Sequence, residues 1–250
     1  MRRWLPPLVL LAAGVGIWEL VVRTADVPDY LFPAPSAVAS ALGGDWGLLG
    51  HATLVTAREM LLGYLLAVAV ALLLAVVLHF SAALRRALLP ILVLSQTVPT
   101  VLFAPILAIL LGYGIGPKLV VVAIVCFFPV VVNAVDGLRA TDPELARMMR
   151  TLHGTRLGLF RRVELPGALP MIFSGARVAA TYAAVGAVFG EWAGSSAGLG
   201  FVMLQAQPAL ETARIFAAVA ILSALALALY GAVTLAERLL VPWRLEAAHA

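Results

Sequence analysis

Six long apolar segments, separated by polar stretches, dominate this 250-residue sequence. A helix needs about 20 apolar residues to cross the roughly 30 Å hydrocarbon core of a bilayer. Backbone groups in lipid must bond internally, and the alternation typical of barrel strands is not visible, so each segment is predicted to be a helix. The predicted spans are 5–22, 60–80, 88–111, 119–135, 171–189 and 215–236.

The overall composition excludes a soluble or a disordered chain. Hydrophobic residues make up 63% of the sequence and charged residues 12%, against about 45–50% and about 25% in soluble domains. A soluble fold of this size cannot hide so much apolar surface. The single Cys126 excludes a disulfide framework, and the four histidines show no metal-ligand spacing, so no metal site is expected. We therefore expect one all-α transmembrane domain over residues 1–250.

The basic residues indicate orientation. A net charge of +4 and a pI near 9.7 would suggest nucleic acid for a soluble protein, but in a bilayer protein they report topology, so no nucleic-acid partner is expected. Of the 17 Lys+Arg residues, twelve fall on one side of the predicted spans: Arg2, Arg3, Arg85, Arg86, Arg139, Arg147, Arg150, Arg156, Arg161, Arg162, Arg238 and Arg244. This asymmetry predicts that both termini and the loop 136–169 are cytoplasmic.

The first span has an alternative interpretation as a cleaved signal peptide, because Arg2 and Arg3 precede it. Its apolar run is long, contains Glu19, and is followed by no convincing small-x-small cleavage site, so we expect it to remain as a span. Gly186, Gly190, Gly194 and Gly198 recur every four residues and are predicted to share one face of a helix, where they permit close packing.

The loop 136–169 is predicted to contain a short amphipathic helix. Thr141 or Asp142 can cap it, Pro143 suits its first turn, and Glu144 favours the positive end of the helix dipole. An apolar stripe follows at helical spacing: Leu145, Met148, Met149 and Leu152. We expect a break at 153–154, then a second amphipathic piece over 157–163 that ends at 165–166.

Two interpretations of these amphipathic pieces stay open on physical grounds. The helix could lie on the anionic leaflet, held by its arginines. It could equally insert its apolar stripe into a groove on a partner protein.

Residues 144–170, ELARMMRTLHGTRLGLFRRVELPGALP, resemble the EAA loop of permease subunits of ABC importers. The Leu165-Pro166 end of that motif matches, whereas its glycine falls one residue late, at Gly154. Its glutamate is Arg147 here, and Glu144, one turn earlier, is the expected substitute. The resemblance implies that this loop is the coupling helix that docks on an ATPase, through Glu144, Leu145, Arg147, Met148, Met149, Leu152, Gly154, Leu165 and Pro166.

LFPAPSAV (31–38) and GEWAGSSAGLGFVMLQA (190–206) resemble the nitrate, sulfonate and taurine branch, and the second stretch looks most like permeases for pyrimidine thiamine precursors and riboflavin. The resemblance implies a homodimer in the bacterial inner membrane, with two ATPase subunits and an extracytoplasmic solute-binding protein. ATP and Mg²⁺ would bind the ATPase, since this chain has one lysine and no G-x4-G-K-[S/T] motif. The expected cargo is a pyrimidine or vitamin precursor, or else a sulfonate or nitrate-like anion.

Polar residues within or beside the spans are candidates to line the solute path, because a charge at the bilayer centre costs about 2.5–3.5 kcal/mol. They are Gln96, Asn133, Glu191, Trp192, Ser195 and Ser196. For Trp192 an interface anchor is the alternative, and Arg177 is expected either to pair or to extend towards the interface.

Two other function classes remain as alternatives. Gly194–Gly198 fits the G-x-S-x-G pattern and would make Ser196 the nucleophile of an intramembrane serine hydrolase, but no histidine at membrane depth follows it to act as a base. An ion-coupled secondary transporter would need no ATPase. We expect this chain itself to have no enzymatic activity.

Overall fold

The computed structural model describes residues 5–151 and 155–243, and within these ranges most residues are helical and none lies in a strand. The α-helices are α1 (Leu5–Thr24), α2 (Pro35–Gly44), α3 (Trp46–Phe80), α4 (Ala82–Ser95), α5 (Phe103–Leu111), α6 (Ile115–Arg139), α7 (Pro143–Thr151), α8 (Arg156–Leu159), α9 (Leu165–Trp192), α10 (Leu199–Ala206) and α11 (Thr212–Leu240). A 3₁₀ turn, Thr100–Leu102, precedes α5, and a π turn, Phe160–Glu164, joins α8 to α9. The all-α prediction is confirmed.

Five helical stretches are long and apolar enough to cross a membrane, and the bent pair of α4 with Thr100–Leu111 makes a sixth if it is counted as one span. The sequence predicts one span over 88–111 with a polar kink before Pro99, and the structure confirms the kink, because this pair is bent by 85°. Pro99 lies in the break. Proline donates no backbone hydrogen bond and disfavours helical geometry in the residue before it, so the helix stops and restarts.

Two predicted boundaries are wrong. The second span, predicted over 60–80, belongs to a 35-residue helix that begins at Trp46 and therefore also contains His51. The amphipathic piece predicted to end at 165–166 instead continues without a break, because Arg156–Trp192 forms one 37-residue stretch. In the π turn the N–H of Leu165 donates a hydrogen bond to the carbonyl of Phe160, and Pro166, which has no N–H, follows directly at the start of α9.

The side-chain contacts that join the helices give the bundle two distinct ends. At one end, α3 and α6 finish and α9 begins, next to α7; we call this the α7 end. At the other end, α3, α6 and α11 begin and α9 finishes, next to α10; we call this the α10 end. Successive spans therefore alternate in direction, as expected for a chain that crosses a bilayer repeatedly.

The core is built from small residues that let backbones approach each other. Val122 on α6 is fully buried between two glycines: a Cβ added at Gly63 of α3 would lie 2.5 Å from Val122 Cβ, and one added at Gly186 of α9 would lie 2.9 Å from its Cα. Gly190 packs against Lys118 in the same way, at 3.0 Å. This packing without bulky side chains is typical of helix contacts in membranes.

The spacing predicted that all four glycines of the repeat share one helix face, and this prediction is wrong. Gly186 and Gly190 lie in α9, but the helix ends at Trp192, and Gly194 and Gly198 lie in the following turn with φ of +118° and +115°. Both conformations lie in the left-handed region, where glycine is favoured because it has no Cβ.

Large apolar side chains cover the outside of the bundle. Leu10 on α1 is 74% exposed and Ile109 on α5 is 78% exposed. Such a surface suits lipid or other apolar helices, and it places this chain among multi-pass membrane proteins.

Candidate functional site

The predicted coupling segment forms a capped helix. The backbone N–H of Glu144 donates a 2.8 Å hydrogen bond to Oδ1 of Asp142, which confirms one of the two predicted caps. Leu145 is 49% exposed and Met148 is 58% exposed, while Met149 is half-buried. Leu152 and Gly154 lie outside the described residues. The helix therefore presents an apolar stripe that the described part of the chain leaves uncovered.

The polar face of α7 carries a weak ion pair. A guanidinium nitrogen of Arg147 lies 3.7 Å from Oε1 of Glu144, and both side chains are largely exposed. Such an exposed pair contributes at most about 1 kcal/mol to stability. Glu144 and Arg147 are thus both accessible to a partner.

The chain that follows α7 is fastened to the end of α3. Nε2 of His79 lies 2.7 Å from Oε2 of Glu164, and both side chains are buried. Phe160 packs on the His79 ring with 5.6 Å between centroids, and the guanidinium of Arg156 lies 5.6 Å above the ring of Phe80. Leu165 and Pro166, which follow directly, open α9.

A cavity of about 400 Å³ lies at the break between α4 and α5. Ser95, Gln96 and Thr100 supply its polar groups, and Phe103 and Phe127 are among its apolar walls. Because the helix is interrupted here, backbone groups near the break are released from regular helical pairing. Gln96, predicted to line the solute path, therefore lies in the wall of this cavity, where its amide donates a 3.4 Å hydrogen bond to Oγ of Ser95.

A second cavity, of about 330 Å³, lies between α9 and α11 and includes Trp192 in its wall. The indole Nε1 of Trp192 donates a 3.2 Å hydrogen bond to the carbonyl of Gly200, and the side chain is 43% exposed. Trp192 therefore tethers α10 to α9 while keeping part of its ring accessible.

Glu191 is fully buried at the α10 end, where its carboxylate bonds only within the protein. The hydroxyl of Thr56 donates to Oε1 at 2.6 Å, and the N–H groups of Gly200 and Phe201 donate to Oε2 at 2.5 and 3.2 Å. Thr56 also accepts a 2.8 Å hydrogen bond from the N–H of Leu199. In this conformation Glu191 fixes the first turn of α10 instead of facing a cavity.

Gly198 is required by this arrangement. A Cβ added there would lie 2.3 Å from Cδ of Glu191, and the φ of +115° disfavours any side chain. The carboxylate therefore occupies the space that a side chain at 198 would need.

Lys118 forms a second buried link at the same end. Its Nζ donates to Oε1 of Glu59 at 2.7 Å and to Oγ of Ser195 at 2.6 Å. Lys118 directly precedes the predicted span 119–135, yet its side chain is only 13% exposed. The signal that would have found this pair is the presence of Glu59 inside an apolar helix, where an ionisable group is costly unless it is paired.

The remaining predicted path residues lie apart from both cavities. The amide of Asn133 donates to the carbonyl of Pro129 at 2.8 Å, and its Cβ faces Gly175 in the contact between α6 and α9. Ser195 bonds Lys118, and Ser196 lies exposed in the turn after α9. In the part of the chain that the structure describes, no hydrogen bond joins Ser196 to a histidine, so the geometry gives no support to a serine hydrolase.

Metal-ligating side chains do not converge in the described residues: there is no group of three or more His, Cys, Asp or Glu side chains that could hold an ion. Cys126 is buried, and its thiol donates to the carbonyl of Ala179 at 3.3 Å.

Comparisons with known proteins agree with this architecture. Residues 35–244 match the family described as "Binding-protein-dependent transport system inner membrane component". The chain is 40% identical over 228 residues to a probable ABC transporter permease protein of Haemophilus influenzae, covering 91% of this chain and 93% of that relative. It is 32% identical to the formylaminopyrimidine transport permease protein of Halalkalibacterium halodurans, covering 96% of each chain. It is 37% identical to the riboflavin transport system permease protein of Chloroflexus aurantiacus, covering 95% of this chain and 89% of that relative.

ABC permeases of this family operate with an ATPase and a substrate-binding protein, and they are membrane subunits rather than enzymes. The branch predicted from the sequence is confirmed, because sulfonate and taurine permeases match as well, at 30% and 27% identity. The family match spans most of the chain, from α2 to beyond α11, and the helices cross the membrane several times. The chain therefore belongs to the family of binding-protein-dependent transport system inner membrane components, the permease subunits of ABC transporters for small solutes.

Proposed function

We propose that this chain imports a small planar heterocycle, of the pyrimidine or vitamin-precursor class, as one half of a homodimeric permease driven by two ATPase subunits. The observation that carries the proposal is the uncovered apolar stripe of α7, in which Leu145 and Met148 are about half exposed beside the accessible Arg147. An amphipathic helix with an exposed stripe fits a groove on a soluble partner.

The direction of transport rests on the asymmetry of basic residues. The α7 end carries most of the arginines, which favours a cytoplasmic position, so the ATPase with its ATP and Mg²⁺ would dock there. A solute-binding protein would then deliver its cargo at the α10 end.

The cargo class rests on the relatives and on the cavity at the broken helix. One relative is named for formylaminopyrimidine transport and another for riboflavin transport. The cavity offers aromatic walls from Phe103 and Phe127 and the amide of Gln96, which suits a flat ring with hydrogen-bonding edges. A sulfonate or nitrate-like anion is the second candidate, favoured by the sulfonate relative.

The coupling role is tested by co-purification of the chain with its ATPase. Leu145→Asp and Met148→Asp each place a charge in the stripe and should reduce recovered ATPase at least about tenfold, a loss of about 1.4 kcal/mol or more. Leu210→Asp is the matched control, because Leu210 is an equally exposed leucine, at 61%, near the α10 end. Undiminished ATPase recovery with both stripe variants would refute the docking surface.

The cargo is tested by uptake into proteoliposomes that contain the complex and its binding protein. ATP-dependent uptake of a labelled pyrimidine should be competed by other pyrimidines and should fall several-fold in Gln96→Ala but not in the control Gln205→Ala, which alters an exposed glutamine of α10. Uptake of a sulfonate alone would overturn the heterocycle assignment and leave the importer intact. Uptake that persists after ATP depletion, driven by an ion gradient, would support a secondary transporter.

A further inference from the structure

We infer that α3 is a rigid transmission element that carries displacement of the coupling helix to the turn 193–198 at the opposite end of the bundle. The inference rests on the proposed function, because it assumes that α7 is moved by an ATPase. It assigns positioning roles to His79 and Glu164 at one end of α3 and to Thr56 and Glu191 at the other.

The α7 end of α3 is joined to the segment that follows the coupling helix by a contact that resists sliding. His79 and Glu164 are buried and 2.7 Å apart, and the rings of Phe80 and Phe160 pack beside them with centroids 5.1 Å apart. Separating these two side chains would leave buried polar groups without their hydrogen-bond partner, which is costly. Displacement of Glu164 therefore pulls directly on α3.

The α10 end of α3 is joined to the turn 193–198 through two separate links. Thr56 bonds both the Glu191 carboxylate, at 2.6 Å, and the N–H of Leu199, at 2.8 Å. One turn along the same face, Glu59 holds Lys118, which in turn holds Ser195. Both ends of the turn are thus attached to α3.

The helix between these two attachments is suited to act as a strut. From Thr56 to His79 the axis extends about 35 Å at 1.5 Å per residue, which is close to the thickness of a bilayer core. The sequence of α3 contains no proline. Sharp kinks arise mainly at proline, at Gly/Ser pairs, at π turns and at inserted groups. The one glycine between Thr56 and His79 is Gly63, which has no serine beside it and packs closely against Val122 of α6, so α3 lacks the usual points of bending.

The routes through α4 and α5, α6 and α9 contain such points, whereas α11 also lacks proline. Pro129 lies inside α6 and Pro170 inside α9, α9 is entered through the π turn Phe160–Glu164, and α4 is separated from α5 by the 85° bend. The covalent route from α7 through α9 is therefore compliant at its start. The contact from Glu164 to His79 bypasses that compliant region.

The test uses the complete complex with its ATPase in nanodiscs and measures backbone amide exchange with and without a non-hydrolysable ATP analogue. In the unmodified complex the analogue should change exchange both in α7 and in residues 193–201. In His79→Gln and in Glu164→Gln, the change in α7 should persist, and the change in 193–201 should be lost. His51→Gln is the matched control, because it alters an exposed histidine of the same helix.

Transport provides the second measurement. The number of ATP molecules hydrolysed per solute imported should rise at least about tenfold in His79→Gln, with ATPase recovery unchanged. The exchanged pair H79E/E164H restores an acid–base contact at this position and should recover at least part of the coupling, which a variant that merely fails to fold would not.

The outcomes distinguish this inference from the proposed function. An ATP-dependent change in 193–201 that survives both single variants overturns the role of α3 and leaves the coupling helix in place. Absence of any ATP-dependent change in α7 of the unmodified complex overturns the proposed function, and this inference with it.

Discussion

Arg177 on α9 lies 2.7 Å from Glu237 on α11, measured from Nη1 of the guanidinium to Oε2 of the carboxylate. Both residues belong to membrane-spanning helices, where an isolated charge is costly. The sequence left open whether Arg177 pairs or extends to the interface, and the structure shows that it pairs. The contact ties the last span to the centre of the bundle.

Removal of Arg177 should destabilise the protein strongly. Arg177→Met leaves the Glu237 side chain, which is only 7% exposed, without this cation, and loss of one partner of a buried pair costs about 3–5 kcal/mol. Thermal unfolding in detergent measures the effect. Arg238→Met is the control, because it removes an exposed neighbouring arginine, and R177M/E237L should recover much of the loss. Equal effects of Arg177→Met and Arg238→Met would contradict the prediction.

The ion pair between Asp45 and Arg214 should contribute far less. Nε of Arg214 lies 2.6 Å from Oδ2 of Asp45, but the two side chains are 26% and 29% exposed, and Arg214 also contacts Glu211. Asp45→Asn should therefore lower stability by no more than about 1 kcal/mol. The difference from the unmodified protein should shrink as salt rises, since exposed charges are screened over about 10 Å at 0.1 M. A salt-independent loss would refute this.

Close approach of α3 and α6 should make Gly63 sensitive to a single methyl group. In Gly63→Ala the added Cβ meets Val122 at 2.5 Å, and such overpacking costs about 1–3 kcal/mol. Gly16→Ala in α1 is the matched control, because nothing lies within 4 Å of its added Cβ. This control should be neutral or stabilising by up to about 1 kcal/mol, as for any exposed helical glycine. A comparison of unfolding midpoints checks both, and a stable Gly63→Ala would contradict the packing.

Cys126 should resist thiol reagents in the folded protein. Its side chain is completely buried and its thiol bonds to the carbonyl of Ala179, and buried thiols react slowly because they are neither accessible nor ionised. Maleimide labelling should become complete only after denaturation in SDS. Ser196→Cys places a thiol at an exposed position and should label at once, and rapid labelling of Cys126 itself would show that the α6–α9 contact opens.

Hydropathy and helix-capping residues predict the helices because each depends only on residues that are close together in the sequence. The apolar runs indicate the spans, and Asp142 indicates the start of α7, since each depends on residues close in sequence. The start of α3 was harder to predict, because residues 46–59 include polar residues that a hydropathy average counts against a span even though they belong to the same helix.

The polar contacts between helices could not be predicted from the sequence, for a different reason. Glu59 and Lys118 are 59 positions apart, and His79 and Glu164 are 85 apart. Nothing local specifies which carboxylate meets which cation, so only the cost of a lone charge in an apolar helix marks these residues in advance. The 85° bend could be predicted only in part. Pro99 indicates that the helix is disrupted there, but the angle of the bend depends on the residues that pack around the break.

Gly198 and Glu191 together restrict how this turn can change over evolutionary time. Any side chain at 198 collides with the carboxylate, and loss of the carboxylate leaves the N–H groups of Gly200 and Phe201 without their acceptor. A lineage that alters one position passes through a damaged intermediate unless the other changes too. The two sites should therefore drift together or not at all, and a descendant that lacks the glutamate is where a non-glycine residue at 198 would first be tolerated.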